Sequence, residues 1–593
     1  MSTVPLLPET APFNADQRAW INGYLAGLFS FAGGTATAPQ ATCAPGEPLL
    51  ILYGSQTGTA EALAQKIAKA AAAKNFAARA VCMADHATID LKKESRALVV
   101  TSTYGDGDPP DNAAAFWDFL KSDTAPRLEH VEFSILALGD TNYEKFCEFG
   151  KKCDARFEEL GAKRVHARAD CDADYDATAK AWIDAVLGAL SVSSVNGESK
   201  MVNETPLDAP NDASTIHNSP VTIHDRKNPF PAKLVTNRKL TADNSCKETR
   251  HFEISLEGSG LEYEVGDALG VCATNCPALV DEILAALGCD GEEAVPVSGS
   301  ELPLRKTLLQ HFEITKIPAN FLAAVAERSG DAGLKAMLDP VMKDDLKKFL
   351  WGREIIDLLL AHPSVKFGAV EFVGFLKKMP PRLYSISSSP KTHPGQVHLT
   401  IAQVRYESHG RGRKGVASTF LADRASEAVP VFVQTSHGFR IPKNNDAAMI
   451  MVGPGTGIAP FRAFLEERRA IGAKGRNWLF FGEQRESTDF FYREEFGQML
   501  SEGTLTKLTT AFSRDQAEKI YVQTRMIEHA AELWAWLRDG AHFYVCGDAS
   551  RMAKDVDAAL HTICETAGGL GKEAASEFVA KMKSEKRYQR DVY

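Results

Sequence analysis

Three glycine- and hydroxyl-rich stretches hold the residues best suited to chemistry, and the first is Ser55-Gln56-Thr57-Gly58-Thr59-Ala60. It follows the apolar run LLILYG, and the pattern after it predicts a helix. Hydroxyls, a glycine and free amides at a helix start form a nest for a phosphate dianion. The roughly half-unit positive charge of the helix end strengthens that nest. The lysine of a P-loop is missing, which argues against a nucleoside triphosphate. The next two apolar runs end in Thr101-Ser102-Thr103-Tyr104-Gly105-Asp106-Gly107 and Leu138-Gly139-Asp140-Thr141-Asn142-Tyr143. Each offers a tyrosine in a Gly/Asp-rich turn, and a flat ring fits between them. An aromatic pair contributes roughly 0.5–1.5 kcal/mol beyond its area burial. One such loop is weak evidence; three at successive strand ends are specific.

The second stretch is Pro381-Arg382-Leu383-Tyr384-Ser385-Ile386-Ser387-Ser388-Ser389. Side chains alternate along a strand, so Arg382 and Tyr384 share a face. Arg382 can pair with a pyrophosphate and Tyr384 can stack on a ring, while Ser385 points elsewhere unless a bulge turns it. Downstream, Gly415-Val416-Ala417-Ser418-Thr419 opens a helix and supplies further amides for phosphate.

The third stretch, Gly453-Pro454-Gly455-Thr456-Gly457, sits at a strand-to-helix turn but does not form the standard dinucleotide fingerprint. Ser513, Arg514 and Lys519, with Tyr521 and Gln523 after them, form a pocket suited to the extra phosphate of NADPH. Charge-assisted hydrogen bonds contribute roughly 1.5–3 kcal/mol each. Two of them favour NADPH over NADH by on the order of a hundredfold or more. Cys546 ends the run Tyr544-Val545-Cys546 and is expected to face the nicotinamide, although a buried inert thiol is the ordinary reading of one cysteine. The chain ends on Tyr593, after a helical pattern over 572–586 and the bases Lys586, Arg587 and Arg590. An aromatic there can fold back as a movable lid over a flat ring; the plain alternative is a plug that docks the last helix.

The elements that position these residues fall into blocks. From Pro48 to about Leu190, apolar strands alternate with helices, which predicts a doubly wound parallel sheet with ligands at the strand C-termini. Residues 191–220 are rich in Ser, Asn, Asp and Pro, the composition of a flexible linker. Residues 221–445 predict an antiparallel β-barrel, interrupted at about 275–375 by a helical insertion. From 446 to 593 strands and helices alternate again. Ahead of all this, residues 14–30 read as an amphipathic helix with Trp20, Tyr24, Leu25 and Leu28 near one face, followed by an Ala/Thr/Pro-rich spacer to residue 47.

With 593 residues, 44% hydrophobic and 24% charged, the composition is that of a multidomain soluble protein. No apolar run approaches the roughly 20 residues needed to cross a bilayer, and the N-terminus lacks the pattern of a secretory signal. The net charge of −10 argues against nucleic acid as a partner. Eleven scattered cysteines without zinc spacing fit reduced cytoplasmic thiols and predict no metal site.

On these motifs residues 48–190 resemble the flavodoxin family. The resemblance implies FMN, with its phosphate on Ser55, Gln56, Thr57, Gly58, Thr59 and Ala60. Its ring would lie between Tyr104 and Tyr143, with Ser102, Thr103, Gly105, Leu138, Gly139, Asp140, Asn142 and Cys147 around it. The pairing of the RLYS strand with GVAST resembles the FAD domains of ferredoxin–NADP reductase-like proteins. That implies FAD on Arg382, Leu383, Tyr384, Ser385, Gly415, Val416, Ala417 and Ser418, lined also by Thr400, Ile401, Ala402, Tyr406 and Thr315. NADPH would then meet Gly455, Thr456, Ser513, Arg514, Lys519, Tyr521, Gln523 and Asp555. Ser385, Cys546, Asp591 and Tyr593 would surround the path of the transferred hydride.

The block order resembles the diflavin reductases over nearly the whole chain. Within them, the ending Arg-Tyr-Gln-Arg-Asp-Val-Tyr and the N-terminal helix are most similar to the flavoprotein subunits of assimilatory sulfite reductases. That implies a haemoprotein partner with sirohaem and an iron–sulfur cluster, and self-association through the N-terminal segment. Residues 101–150 hold ten acids against Lys121, Arg127 and Lys145, a balance suited to a basic electron acceptor or merely to a solvated face. A diflavin reductase serving another haem partner, such as a monooxygenase, and a cofactor-free scaffold are the alternatives.

Overall fold

The computed structural model describes residues 46–55, 58–104, 107–141, 145–172, 175–193, 224–297, 299–426, 428–436 and 438–593. The expected N-terminal helix and the linker from residue 194 lie outside them.

The first sheet comprises β1 (Glu47–Gly54), β2 (Phe76–Cys82), β3 (Arg96–Ser102), β4 (Glu132–Leu138), β5 (Lys163–Arg164) and β6 (Ala169–Cys171). Its order is β2-β1-β3-β4-β5, with β6 also on β4, and every pair is parallel. The strands read as continuous apolar runs because helices cover both faces. α1 (Thr59–Ala72) packs on one face through Leu63 and Ile67. α2 (Ala114–Lys121) and α3 (Glu148–Glu159) cover the other through Phe116 and Phe157. α4 (Asp176–Ser193) joins α1 through Trp182 and Ile183. The loops after β1, β3 and β4 share one edge at the switch in strand order, where ligands bind in such sheets.

The second sheet is antiparallel: β7 (Phe230–Lys239), β8 (Thr249–Ser255), β9 (Ala268–Val271), β12 (Arg382–Ser385), β13 (Gln396–Ala402) and β16 (Val429–Gln434). The order runs β12-β9-β16-β7-β8-β13, and a bridge between Ile386 and Leu399 joins its two ends into a barrel. The insertion is helical, as its pattern predicts, and buries a core of its own around Ile283, Phe321, Ile355 and Phe372. It also contains a hairpin, β10 (Ala294–Val297) with β11 (Ser300–Pro303), that the helical expectation left out. Two of its helices are used below, α5 (Pro277–Leu287) and α6 (Ile355–Ala361). A second free hairpin, β14 (Arg405–Ser408) with β15 (Arg411–Lys414), leads into the short helix α7 (Val416–Thr419).

The third sheet has β17 (Met449–Val452), β18 (Asn477–Glu483), β19 (Lys507–Phe512), β20 (His542–Gly547) and β21 (Tyr588–Val592). It is parallel throughout in the order β19-β18-β17-β20-β21. α8 (Ala459–Ala470) follows β17, and α9 (Met552–Thr566) and α10 (Lys572–Ser584) follow β20. The helical pattern over 572–586 is α10, and the residues after it form a strand that the sequence reading did not anticipate. Alternating Tyr588 and Val592 point into the core, so the ending hydrogen-bonds along β20 as an edge strand.

Barrel and third sheet meet on a buried polar seam. Arg462 of α8, only 6% exposed, donates to the Ser387 carbonyl at 2.6 Å and pairs with Glu466 at 2.8 Å and Glu495 at 2.9 Å. Its guanidinium lies over the Tyr492 ring, 5.0 Å from the centroid. Tyr492 Oη lies 2.9 Å from His251 Nδ1 and 2.6 Å from Thr400 Oγ1. Burial above all, then Arg462, pushes the His251 imidazole down to about 3. Burial, His393 and Arg462 push His398 down to about 2.

Both imidazoles stay neutral in the folded chain, whereas unfolded ones take a proton near pH 6.5. Their contribution is therefore complete above that pH and is lost as pH falls from there toward 3. His398→Gln should flatten part of that loss. Denaturation midpoints at about pH 7 and about pH 5 should fall further apart in the wild type than in H398Q; equal separations would mean His398 titrates normally.

Candidate functional site

The residues of the first stretch gather at the C-terminal edge of the first sheet. Gly58 takes a left-handed φ of 88° as the N-cap of α1, which turns the chain sharply from strand to helix. Ser55 Oγ accepts from the Ala60 amide at 3.2 Å, and the Ser55 amide donates to Asn112 Oδ1 at 2.9 Å. Asn112 was not anticipated: it is 57 residues away and no spacing marks it. The Thr103 amide donates to the Leu138 carbonyl at 3.1 Å, and Thr103 Oγ1 accepts from the Phe149 amide at 3.1 Å. Ser102 Oγ is buried and has no hydrogen-bond partner among the described residues, as expected of a group that serves a ligand.

Gly139 is close-packed, for a Cβ there would stand 2.8 Å from the Cys147 amide nitrogen. Cys147 itself is buried beneath that turn, its thiol directed at the Ala137 and Cys171 carbonyls and its pKa pushed up to about 12 by burial. It shapes the loop from below and offers no exposed side chain. Asp140 lies at the same edge, and its neighbour Thr141 donates twice to Asp172, at 2.9 and 2.5 Å. Gln56, Thr57, Gly105, Asn142 and Tyr143 lie outside the described residues.

In the barrel, Leu383 faces solvent while Tyr384 packs toward the core. Ser385 therefore points away from Tyr384, as alternation requires, and donates to Asp591 Oδ2 of β21 at 2.6 Å. Arg382 and Thr315 converge on one carboxylate that sequence reading missed, Glu313. Its Oε1 accepts from the Thr315 amide and hydroxyl at 2.8 and 2.6 Å, and Oε2 lies 3.8 Å from Arg382. Gly415 caps α7, with Val416, Ala417 and Ser418 in its first turn, and Ser418 Oγ accepts from the Val404 amide at 3.2 Å. Thr400 and Ile401 are buried, Thr400 against Tyr492, so of that trio only Ala402 is exposed. Tyr406 stands on the free hairpin.

In the third sheet, Gly455 has φ 59° and Thr456 follows it in one tight turn before α8. A Cβ on Gly457 would stand 2.1 Å from the Cys546 carbonyl oxygen, so only glycine lets the turn lie against β20. Ser513 and Arg514 follow β19, tied by backbone bonds to Glu483 and Gln484. Arg514 Nη1 lies 3.8 Å from Cys246 Sγ, contributed by a barrel loop. Lys519 and Tyr521 are exposed beside them, and Gln523 donates to Asp555 at 3.2 Å. Cys546 is fully buried with its pKa held well above the usual thiol value by burial and Asp591, so the thiol stays protonated.

The last three residues draw these parts together. Asp591 accepts a hydrogen bond from the Ser385 hydroxyl and lies 3.8 Å from the Cys546 thiol, its own pKa raised by burial. The Val592 carbonyl accepts from Tyr104 Oη of the first sheet at 2.6 Å. Tyr593, 62% exposed, bonds Thr456 Oγ1 through its hydroxyl at 2.8 Å. Lys377 of the insertion adds a second tie to the first sheet by donating to the Thr141 carbonyl at 3.0 Å. The candidate nucleotide sites are thus neighbours.

Family models match in the same order: flavodoxin over residues 51–182, an FAD binding domain over 223–420 and an oxidoreductase NAD-binding domain over 451–558. Fold and sites together define an NADPH-dependent diflavin oxidoreductase, with FMN, FAD and NADPH as its cofactors. The chain is 44% identical over 588 residues to the sulfite reductase (NADPH) flavoprotein alpha-component of Bacillus subtilis, covering 97% of this chain and 95% of that protein. It is 42% identical over 605 residues to the protein of that name from Mannheimia succiniciproducens, covering all of both, and 40% identical over 596 residues to that of Vibrio parahaemolyticus, covering 99% and 94%. The chain belongs to the sulfite reductase (NADPH) flavoprotein alpha-component family.

Tyr104→Phe removes one neutral hydrogen bond between the first and third sheets, about 1 kcal/mol or a roughly fivefold shift in docking. Small-angle scattering should register a larger mean radius for the variant; superimposable curves would mean the bond does not hold the sheets together.

Proposed function

We propose that this chain is the cytoplasmic electron-delivery half of an assimilatory sulfite-reducing complex, handing electrons to a separate haemoprotein subunit with sirohaem and an iron–sulfur cluster. The observation that carries it is the convergence of Asp591, Val592 and Tyr593 on the barrel, the first sheet and the glycine turn. When bound, the three cofactors take electrons in pairs from NADPH through FAD to FMN and release them singly.

The chain's own groups bind, orient and screen. Backbone amides from Gly58 to Ala60 at the start of α1 would hold the FMN phosphate, with the Ser102 hydroxyl free for its ring. Arg382 and the amides of Val416 to Ser418 would hold the FAD pyrophosphate, with Tyr384 on its ring. Ser385 and Asp591, bonded to each other, would keep a proton next to the reacting carbon, and the buried Cys546 thiol would exclude water behind it. Tyr593 would cover the flavin until nicotinamide displaces it. Ser513, Arg514 and Lys519 would take the extra phosphate of NADPH.

The alpha-component name of the relatives supports a second component, as does the acid excess at the FMN edge. None of the described helices is long and apolar enough to cross a membrane. The segment before residue 46, which lies outside the described residues, would carry self-association. Pull-down from sulfur-starved cells should recover a haemoprotein with a sirohaem spectrum; recovery of a different haem protein would overturn the sulfite assignment.

Arg514→Ala and Lys519→Ala should each raise the KM for NADPH tenfold or more while changing that for NADH less than threefold, in keeping with a charge-assisted bond of about 1.5–3 kcal/mol. Equal losses for both would remove the phosphate pocket. Tyr593→Ala should tighten nicotinamide binding and slow its release, read by stopped-flow; unchanged rates and coenzyme preference would end its role as a cover.

A further inference from the structure

Among the described residues the hairpin β14–β15 pairs with no other strand, and an isolated two-stranded ribbon is marginal in water. Its anchor is the helical insertion. Arg413, 2% exposed, donates through Nη1 to Glu354 at 3.2 Å and through Nη2 to Asp357 at 2.7 Å. The same two carboxylates form the reciprocal capping box that starts α6, so both are already fixed in place. Arg411 pairs with Glu282 of α5, and His409 Nε2 meets the Trp351 carbonyl at 3.0 Å. Gly352, at φ 71°, lets Ser408 come close, since a Cβ there would stand 2.1 Å from Ser408 Oγ.

Tyr406 lies directly opposite Arg413 in the ladder, and opposed residues of an antiparallel pair project on the same face. Tyr406 nevertheless stays 45% exposed, an aromatic wall left open beside a cation held by two carboxylates. We infer that Arg413 is a positioning residue for Tyr406, and that the insertion is thereby an FAD-retaining element of the protein. The inference rests on the proposed reading that FAD lies against Tyr406. Arg413 touches no cofactor itself; it acts by denying the hairpin its freedom, so that Tyr406 meets the ligand already ordered.

The test uses the full-length holoprotein and measures FAD dissociation from the fluorescence of released flavin, with FMN retention as the internal control. Arg413→Met should raise the FAD dissociation constant tenfold or more and leave FMN content unchanged. Arg413→Lys, which keeps the charge and one carboxylate contact, should recover part of the loss. Tyr406→Ala should weaken FAD comparably, and the Arg413→Met/Tyr406→Ala double variant should be no weaker than the worse single one, because both remove the same wall. Additive losses, or an unchanged constant in Arg413→Met, would overturn the positioning role. If Arg413→Met does not fold, Glu354→Gln takes its place in the same cycle, and additivity there overturns the inference equally. No effect of Tyr406→Ala alone would instead refute the placement of FAD at Tyr406.

Discussion

The arrangement of this protein depends on one edge strand. β21 adds to β20 by ordinary parallel pairing, and that pairing fixes where residues 591–593 point. Asp591 then reaches the barrel, the Val592 carbonyl reaches the first sheet and Tyr593 reaches the glycine turn. Electron transfer between bound groups needs them close, and a strand with both its backbone and its side chains committed brings three parts of the chain into contact.

The polar seam between barrel and third sheet serves the same end by different means. An apolar seam would tolerate sliding; Arg462, with two carboxylates, a carbonyl and the Tyr492 ring as partners, has one satisfactory geometry. Removing any partner would leave a buried charge exposed to a low dielectric, which costs several kcal/mol. The barrel and the third sheet thus behave as one frame that fixes Ser385 against Asp591. The ties to the first sheet are fewer and nearer the surface, the Tyr104 hydroxyl and the Lys377 ammonium among those described. That difference suits a module that must meet the frame to be reduced and meet a partner to deliver electrons.

Much of the site was legible before the fold was known, because phosphate binding is a local matter. A glycine with positive φ, a hydroxyl and a run of amides at a helix start lie within six residues, and Ser55 to Ala60 declare themselves. The same holds for Gly455 to Gly457, where a Cβ on Gly457 would collide with Cys546, and Gly415 to Ser418 offer a hydroxyl and amides at a helix start without the positive φ. Residues that act across the fold did not declare themselves. Asn112 and Glu313 carry no spacing signal, the barrel loop with Cys246 beside Arg514 had no visible connection to it, and no motif pointed to Arg413.

Sequence by itself determined the three-block architecture, the nest-forming turns and the membership of a diflavin family, since strand and helix periods and glycine requirements are written along contiguous residues. It also named Asp591 and Tyr593 as important. Only the tertiary structure decided what they touch: the ending is an edge strand on β20, Cys546 is buried beside Asp591, Thr400 bonds Tyr492 in the seam and Glu313 joins Arg382 to Thr315. The physical reason is range. Backbone conformation and helix-end electrostatics act over a few residues, whereas burial, pKa and hydrogen-bond partnership depend on groups brought together from hundreds of residues apart.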